Sequence, residues 1–170
     1  MRWAAPLVFL LAGCGYQPVF GGTRPSAALS VAPARSVAWP RALDAALAGA
    51  RSELARLGAL GGEGDYPMLM VELTRVDELA SGISARTWRA QGTAPAARGS
   101  TVAVTGRAWV LDERGGAPSS DTGDLRRSAR HAAGPDTLRE VLAHDDALNA
   151  AARELGASLA RAALGVPEPE

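Results

Sequence analysis

The chain has 170 residues, 47% of them hydrophobic, and its 18 basic and 18 acidic residues leave no net charge at pH 7. This balance argues against the basic surface of a nucleic-acid-binding protein, so we expect no nucleic-acid partner. All the basic residues counted here are arginines. The length fits one domain with its own core and is too short for us to expect two.

The first predicted element is a secretory signal that ends at the only cysteine of the chain. Arg2 precedes an apolar run of about ten residues, which suits a signal-peptide core and is too short to span a bilayer. The small residues Ala12 and Gly13 let a signal peptidase reach the bond before Cys14. We therefore predict removal of residues 1–13 and attachment of lipid to Cys14, which anchors the chain to a membrane.

The residues around this cysteine also predict where the anchored chain resides. The alternative to lipidation is a free or disulfide-bonded thiol, and an intramolecular disulfide is excluded because no second cysteine exists. Gly15 stands where an aspartate would, in many Gram-negative bacteria, retain a lipoprotein at the inner membrane. The sequence therefore predicts an outer-membrane address, with residues 14–26, rich in Gly and Pro, as a lipidated tether.

A strand and a helix are predicted to begin the folded part. Leu29 and Val31 alternate with small residues as in a half-buried strand, and Pro33 makes this an edge strand or ends it. Pro40 suits the first turn of a helix, and Gly58 suits its end. Between them, apolar residues recur at steps of four and three and form one stripe along the helix: Leu43, Leu47, Ala50, Leu54 and Leu57. The charged residues Arg51, Glu53 and Arg56 lie off this stripe.

Three further strands are predicted as an antiparallel meander. The first, residues 66–78, has an apolar core face and an opposite face: the core face is Leu69, Val71 and Leu73, and the opposite face is Met70, Glu72, Thr74 and Val76. Residues 83–89 are expected to continue it past a bulge at Gly82, and residues 91–99 to form a loop.

The second strand of the meander covers residues 101–112, and residues 113–121 form a turn. Its core face is Val102, Val104, Ala108 and Val110, and its opposite face is Thr105, Arg107, Trp109 and Leu111. The third strand, residues 123–132, is polar enough to be a loop instead.

Thr137 and Glu140 form a capping box that begins a second helix, which reaches about Ala163. Its predicted apolar seam is Leu138, Val141, Leu142, Leu148, Ala152, Leu155, Leu159 and Ala162. The predicted fold class is α+β, with two helices packed on one face of a roughly four-stranded, mainly antiparallel sheet, in the order β-α-β-β-β-α. One domain covers residues 27–165, and residues 166–170 form a disordered tail.

Little in the chain indicates catalysis or metal binding. His131 and His144 lie on separate predicted elements without metal-ligand spacing. His144, Asp145 and Asp146 could bind a metal or transfer a proton, but consecutive helical residues point in different directions, so a solvated helix face explains them. We expect no enzyme, no metal and no cofactor. A shared pocket for His131 and His144 would favour an enzyme.

Arginine is frequent on the predicted strands. Charge on solvent-facing strands prevents aggregation, which explains most of this pattern. An arginine-bearing face could also hold a phosphorylated, anionic ligand through charge-assisted hydrogen bonds. Trp88 and Trp109 fit either the core or an exposed protein interface.

Residues 11–18, Leu-Ala-Gly-Cys-Gly-Tyr-Gln-Pro, resemble the start of mature proteins of the LptE family of lipopolysaccharide-assembly lipoproteins. Tyr16 fills the aromatic position that follows Cys-Gly in that family. The strand that contains Pro33 and the helix that begins at Pro40 are similar to the family's opening elements.

The resemblance implies a two-helix layer on a four-stranded sheet, anchored at the outer membrane and located in the lumen of the β-barrel LptD. There it would plug the barrel, help it to fold and aid delivery of lipopolysaccharide to the cell surface. The family has no catalytic residues to carry over. In some members of the family, contact with lipopolysaccharide is ascribed to basic residues of the sheet and its loops. Strand position alone suggests Arg75, Arg89 and Arg107 for this role.

A second function remains open. The chain could be a lipid- or small-ligand-binding auxiliary lipoprotein of an ABC-type transport system. This alternative requires a groove between the helices and the sheet that is deep enough for an acyl chain.

Replacing the predicted lipidation site tests the anchor. We expect Cys14→Ala to fold normally, because no core contact is lost, and to leave the membrane fraction, because the acyl chains no longer hold it there. Fractionation of cells that express the variant measures this. Unchanged membrane association, or mass spectrometry that finds an unmodified thiol in the natural chain, would contradict the prediction.

Overall fold

A computed structural model describes residues 28–34, 39–81, 98–133 and 137–168. Within these ranges, two helices pack on a mixed sheet, and the predicted α+β class is confirmed. In chain order the elements are β1 (Ser30–Pro33), α1 (Pro40–Arg56), β2 (Met68–Ser81), β3 (Arg98–Leu111), β4 (Pro118–Asp121), β5 (Leu125–Ala133) and α2 (Thr137–Ala163). The short strand β4 lies where the sequence predicts only a turn, and the polar strand β5 is confirmed.

Strand β3 is the centre of the sheet. It pairs antiparallel with β2 on one side, and on its other side with β5 along most of its length and with β4 near its end. Strand β1 pairs parallel with β2 and forms one edge, where Pro33 ends it as predicted. Because β1 and β5 run in the same direction, the helices that follow them also run parallel to each other.

A β-bulge at Thr74 changes which residues of β2 face the helices. Leu73 pairs with Gly106 and Arg75 pairs with Thr105, so Thr74 is an extra residue in the register. Side chains alternate along a strand, and one extra residue exchanges the two faces beyond it. Val76 therefore packs against the core, and the prediction that it faces away is wrong.

The segment from residue 82 to residue 97 lies outside the described residues. The predicted bulge at Gly82, the predicted continuation over residues 83–89 and most of the predicted loop over residues 91–99 fall there. Arg98 and Gly99, also assigned to that loop, belong to β3 instead.

The core lies between the helix layer and the sheet. Its largest fully buried apolar side chains are Leu54, Leu69, Leu155, Leu159, Val71, Val102 and Val104. Each such side chain contributes about 1.5–3 kcal/mol relative to an exposed one. The predicted core faces of β3 and of the first half of β2 are confirmed, because all their members are buried.

Helix α1 ends as its glycine predicts. Gly58 has a φ of 68°, which is a left-handed conformation that glycine adopts without a steric penalty. Its N–H donates to the carbonyl of Ala55, and the N–H of Ala59 donates to the carbonyl of Leu54. This pair of hydrogen bonds is a Schellman cap.

The first two turns of α2 depart from the predicted seam. Leu138, Val141 and Leu142 are 66%, 52% and 55% exposed. Near the start of α1, Arg41 pairs with Asp145 of the parallel helix α2, so these two turns extend beyond the beginning of α1. The seam prediction is wrong for these residues because helical periodicity does not show where the partner helix begins. Ala162, near the other end of α2, is exposed as well. None of the helices in the described part of the chain is both long and apolar enough to cross a membrane.

The two helices touch through backbone at two glycines. A Cβ atom on Gly49 would lie 2.1 Å from the carbonyl oxygen of Arg153, and one on Gly156 would lie 1.9 Å from that of Ala46. Buried small residues surround this contact, namely Ala42, Ala45, Ala50, Ala151, Ala152 and Ala160. Glycine is therefore required at both positions for the helices to approach this closely.

Glu53 is buried between the helices, although it lies off the predicted apolar stripe. It is 7% exposed, and its carboxylate accepts hydrogen bonds from Arg56 at 2.6 and 2.9 Å and from Arg161 of α2 at 3.1 Å. The hydrogen bonds from Arg56 hold the pKa of Glu53 below its usual value, Arg161 adds to this effect, and burial opposes it. Glu53 therefore joins the two helices as an ion.

At the end of the chain, residues 166–168 of the predicted disordered tail are among the described residues. The Val166 N–H donates to the carbonyl of Arg161. The Glu168 carboxylate forms an ion pair with Arg127 of β5.

Substituting a contact glycine tests the close helix packing. Helix propensity alone would make Gly156→Ala stabilising by about 1 kcal/mol. We expect it instead to destabilise the fold by about 2 kcal/mol, because the added methyl overlaps the Ala46 carbonyl. Urea unfolding measures the change. The control Ala150→Gly, at an exposed site of the same helix, should cost about 1 kcal/mol. A stabilised Gly156→Ala variant would contradict the packing.

Removing the charge of Glu53 tests the ionic contact. At pH 7 we expect Glu53→Gln to lower the free energy of unfolding by about 2 kcal/mol, since charged hydrogen bonds are lost. The folded-state pKa lies below 4.5, so this stabilisation is present above that pH and is lost as the pH falls through the lowered value.

Thermal unfolding at pH 7 and at about pH 3.5 measures this difference. The gap between the natural protein and Glu53→Gln should narrow in acid. The exposed residue Glu63 offers the control substitution Glu63→Gln, which should change stability little at either pH. A gap that stays constant with pH would refute the role of the ionised carboxylate.

Candidate functional site

We call the face of the sheet opposite the helices the outer face. The strand register and the bulge at Thr74 determine which residues it carries. They include Met70, Glu72, Arg75, Asp77 and Leu79 of β2, Thr101, Thr105, Arg107, Trp109 and Leu111 of β3, and Arg126, Ser128 and Arg130 of β5. Its arginines and Leu79 are exposed.

Arg107 is held in place on this face by two neighbours. Its Nε and Nη2 donate to Glu72 Oε2 at 3.0 and 2.9 Å, and its Cζ lies 5.4 Å from the centroid of a Trp109 ring. The hydrogen bonds to Glu72 raise the pKa of Arg107 further above its usual value, and the guanidinium group is a permanent charge. Trp109 is half-buried on the outer face, which excludes the alternative that it belongs to the core between helices and sheet.

Asp77 orients two more arginines of the outer face. Arg75 Nε lies 2.6 Å from Asp77 Oδ1, and Arg126 Nη2 lies 3.7 Å from Asp77 Oδ2. Exposed ion pairs of this kind contribute about 0–1 kcal/mol to stability. They nevertheless restrict the two guanidinium groups to one region of the face, where each keeps N–H donors that the carboxylate does not use.

The structure places two of the three suggested lipopolysaccharide-contact arginines on this face. Arg75 and Arg107 lie on adjacent strands, because Arg75 pairs with Thr105 and Arg107 with Glu72. Arg126 and Arg130 of β5 add to them. Arg130 has no ion-pair partner within the described ranges. Arg89 and the predicted lipidation site Cys14 lie outside those ranges.

A second polar cluster, Glu78–His131–His144, lies on the opposite, helix-facing side of the sheet. The His131 and His144 rings are perpendicular, with centroids 5.5 Å apart. Glu78 Oε1 lies 3.9 Å from His131 Nε2 and 3.7 Å from His144 Nδ1. Three elements, β2, β5 and α2, thus bring one carboxylate and two imidazoles together.

His131 is the buried member of this cluster. Its side chain is 5% exposed, and neither ring nitrogen has a hydrogen-bond partner within the part of the chain that the structure describes. A buried polar group without a partner costs about 1–3 kcal/mol. The side chains of His144 and Glu78 are 31% and 53% exposed, so the cluster is buried on its sheet side and reachable from solvent on the other.

Local spacing rules miss this cluster for two reasons. His144 precedes the inward residue Leu148 by one helical turn, a signal that it faces the sheet, yet its neighbours Asp145 and Asp146 suggest a solvated face. Glu78 faces the helices only because of the bulge at Thr74, which no residue pattern indicates. His131 and His144, whose shared pocket would favour an enzyme, lie side by side. This proximity does not by itself make an enzyme.

The sequence matches no protein-family model and no curated protein. The fold resembles the crystal structure of a candidate lipoprotein from Caulobacter crescentus CB15, with 12% identity, a TM-score of 0.52 and coverage of 81% of this chain and 88% of that one. A minor lipoprotein from Acinetobacter baumannii matches with 10% identity, a TM-score of 0.44 and coverage of 78% and 91%. The first likeness shows a shared fold, and the second, weaker likeness adds nothing to it.

Proposed function

We propose that the chain is a lipid-anchored outer-membrane protein that serves, without catalysis of its own, as the plug and folding partner of an LptD-type β-barrel in lipopolysaccharide assembly. The outer face, with its oriented arginines, is the observation that carries this proposal. The signal-peptide and cysteine pattern supports the anchor, and the shared fold with a C. crescentus candidate lipoprotein is consistent with it.

A plug must match the inside of a large outer-membrane barrel, which is polar. The outer face meets this need, because it combines exposed arginines with the partly buried carboxylates of Glu72 and Asp77, which hold Arg107 and Arg75 in position. An apolar outer face would require burial against a second apolar layer. The charge pairs instead suit a hydrated, polar contact in which the arginine side chains keep defined positions.

The same face suits the phosphorylated head of lipopolysaccharide. Guanidinium groups bind phosphate through paired, charge-assisted hydrogen bonds. Arg107 uses Nε and Nη2 on Glu72 and keeps Nη1 for another acceptor, and Arg130 has no ion-pair partner in the described part of the chain. These two arginines are therefore our first choices for contact with the ligand.

The packing of the core disfavours the alternative of an acyl-binding subunit. That function needs an open groove between the helices and the sheet. The fully buried Leu54, Leu69, Leu155 and Leu159 fill the centre of this interface. A ligand there would have to displace core side chains. Truncation of one such leucine to alanine lowers the free energy of unfolding by about 2–5 kcal/mol.

Co-purification tests the function. The natural chain is captured from detergent-solubilised outer membranes, and the eluate is analysed for a β-barrel protein by mass spectrometry and for lipopolysaccharide by its lipid A. We expect both to be present. The double variant Arg107→Ala/Arg130→Ala should retain the barrel and lose about tenfold of the lipopolysaccharide, because one or two charged hydrogen bonds to phosphate disappear.

Arg153→Ala is the matched control, since Arg153 is an exposed arginine of the helix layer. It should retain both barrel and lipopolysaccharide. Recovery of the natural chain without a large barrel would overturn the plug role, and recovery with a permease and an ATPase would support the transporter alternative. Equal lipopolysaccharide loss in the control would show that the outer face is not the binding surface.

A further inference from the structure

We propose that Glu78, His131 and His144 form a binding site for one divalent transition-metal ion, with zinc as the best-fitting ion. This site is separate from the outer face, because it lies between the sheet and α2. It does not depend on the proposed role in lipopolysaccharide assembly.

The donor set selects the kind of metal. Two imidazoles and one carboxylate are ligands typical of zinc and of neighbouring transition metals, whereas calcium and magnesium prefer sites made of oxygen alone. Zinc sites with three protein ligands leave a fourth position for water. The half-exposed Glu78 side chain leaves a solvent path to that position.

The distances are close to those that an ion requires. One donor atom from each of the three residues lies within 4.8 Å of the other two. Tetrahedral zinc, with bonds of about 2.0–2.2 Å, places its ligand atoms roughly 3.3–3.5 Å apart. The two carboxylate–imidazole pairs, at 3.7 and 3.9 Å, exceed this spacing by a few tenths of an ångström. The imidazole pair, which lies within 4.8 Å, exceeds it by at most about 1.5 Å. The side chains of His144 and Glu78 can make these shifts because both are partly exposed.

The burial of His131 is the independent observation that points to a ligand. Its imidazole is almost fully buried on the floor of the cluster, and among the described residues neither of its nitrogens has a hydrogen-bond partner. Buried polar atoms in native proteins are normally satisfied. A metal bound at Nε2 would satisfy the nitrogen that lies nearer to Glu78.

The position of the cluster indicates what the ion would do. Glu78 lies three residues before the end of β2, and His131 lies two residues before the end of β5. His144 lies next to Asp145, which pairs with Arg41 near the start of α1. It therefore belongs to the part of α2 that precedes most of the contact with α1. A bound ion would tie the first turns of α2 to the end of the sheet, where the described residues leave Leu138, Val141 and Leu142 exposed.

Zinc titration of the untagged, full-length protein in detergent tests this site. A competing chromophoric chelator reports affinity and stoichiometry, and thermal unfolding reports stabilisation. We expect one zinc per chain and a rise in Tm of about 5–10 °C when free zinc reaches 100 times the Kd. Cobalt should give the visible absorption of a low-symmetry site with nitrogen ligands. Calcium and magnesium should not compete.

The variants separate this site from adventitious binding. His144→Ala and Glu78→Gln remove partly exposed ligands, so both should fold and weaken zinc binding at least tenfold. His131→Asn tests the buried ligand. Because the chain has only two histidines, His131→Asn combined with His144→Ala leaves no imidazole, and it should bind no zinc.

Asp146→Asn is the matched control, since this exposed carboxylate lies two residues from His144 and outside the cluster. It should bind zinc as the natural chain does. The proposal is overturned if the folded natural chain binds no zinc at micromolar concentration. It is equally overturned if His144→Ala and Glu78→Gln bind with unchanged affinity, or if Asp146→Asn weakens binding as much as they do.

Discussion

The backbone contact between the helices at Gly49 and Gly156 is the constraint on which the rest of the architecture depends. Because neither residue has a side chain, the carbonyls of Arg153 and Ala46 can occupy the space where a Cβ would lie. The two helices therefore form one narrow layer, which the central strands of the sheet can cover with Leu69, Val71, Val102 and Val104. The same closeness buries Glu53 of one helix beside Arg161 of the other, so that a buried ion pair stands next to a contact made of small apolar residues.

Much of this fold is predictable from the sequence, because each element carries its own period. The alternation in β3 and the leucine steps in α1 predict both the elements and their buried faces. The predictions fail where the answer depends on a distant partner. Leu138, Val141 and Leu142 continue the period of α2, but α1 starts too late to help cover them. Glu53 is charged and off the apolar stripe, and its burial is tolerable because Arg56 and, from the other helix, Arg161 both donate to its carboxylate.

The two polar regions differ in how far local sequence reveals them. The sequence shows that the arginines of the outer face lie on strands, but it does not show which carboxylates they pair with. Those pairs depend on the strand register: Glu72 lies directly opposite Arg107, whereas Asp77 reaches Arg126 across β3. The histidine cluster is less visible still. His131 and His144 are thirteen residues apart on a strand and a helix, and their partner Glu78 belongs to a strand more than fifty residues away. Only the folded sheet brings these three groups into one place.

The bulge at Thr74 makes the distal half of β2 tolerant of a change in chain length. If evolution or an engineer deleted this one residue, Leu73 would still lie opposite Gly106 and Arg75 opposite Thr105, so the residues beyond the deletion would keep their faces. Glu78 would still face the histidines, and Asp77 would still face the arginines. The unpaired residue thus acts as a spare, and the strand can lose three nucleotides of coding sequence here without exchanging its two surfaces.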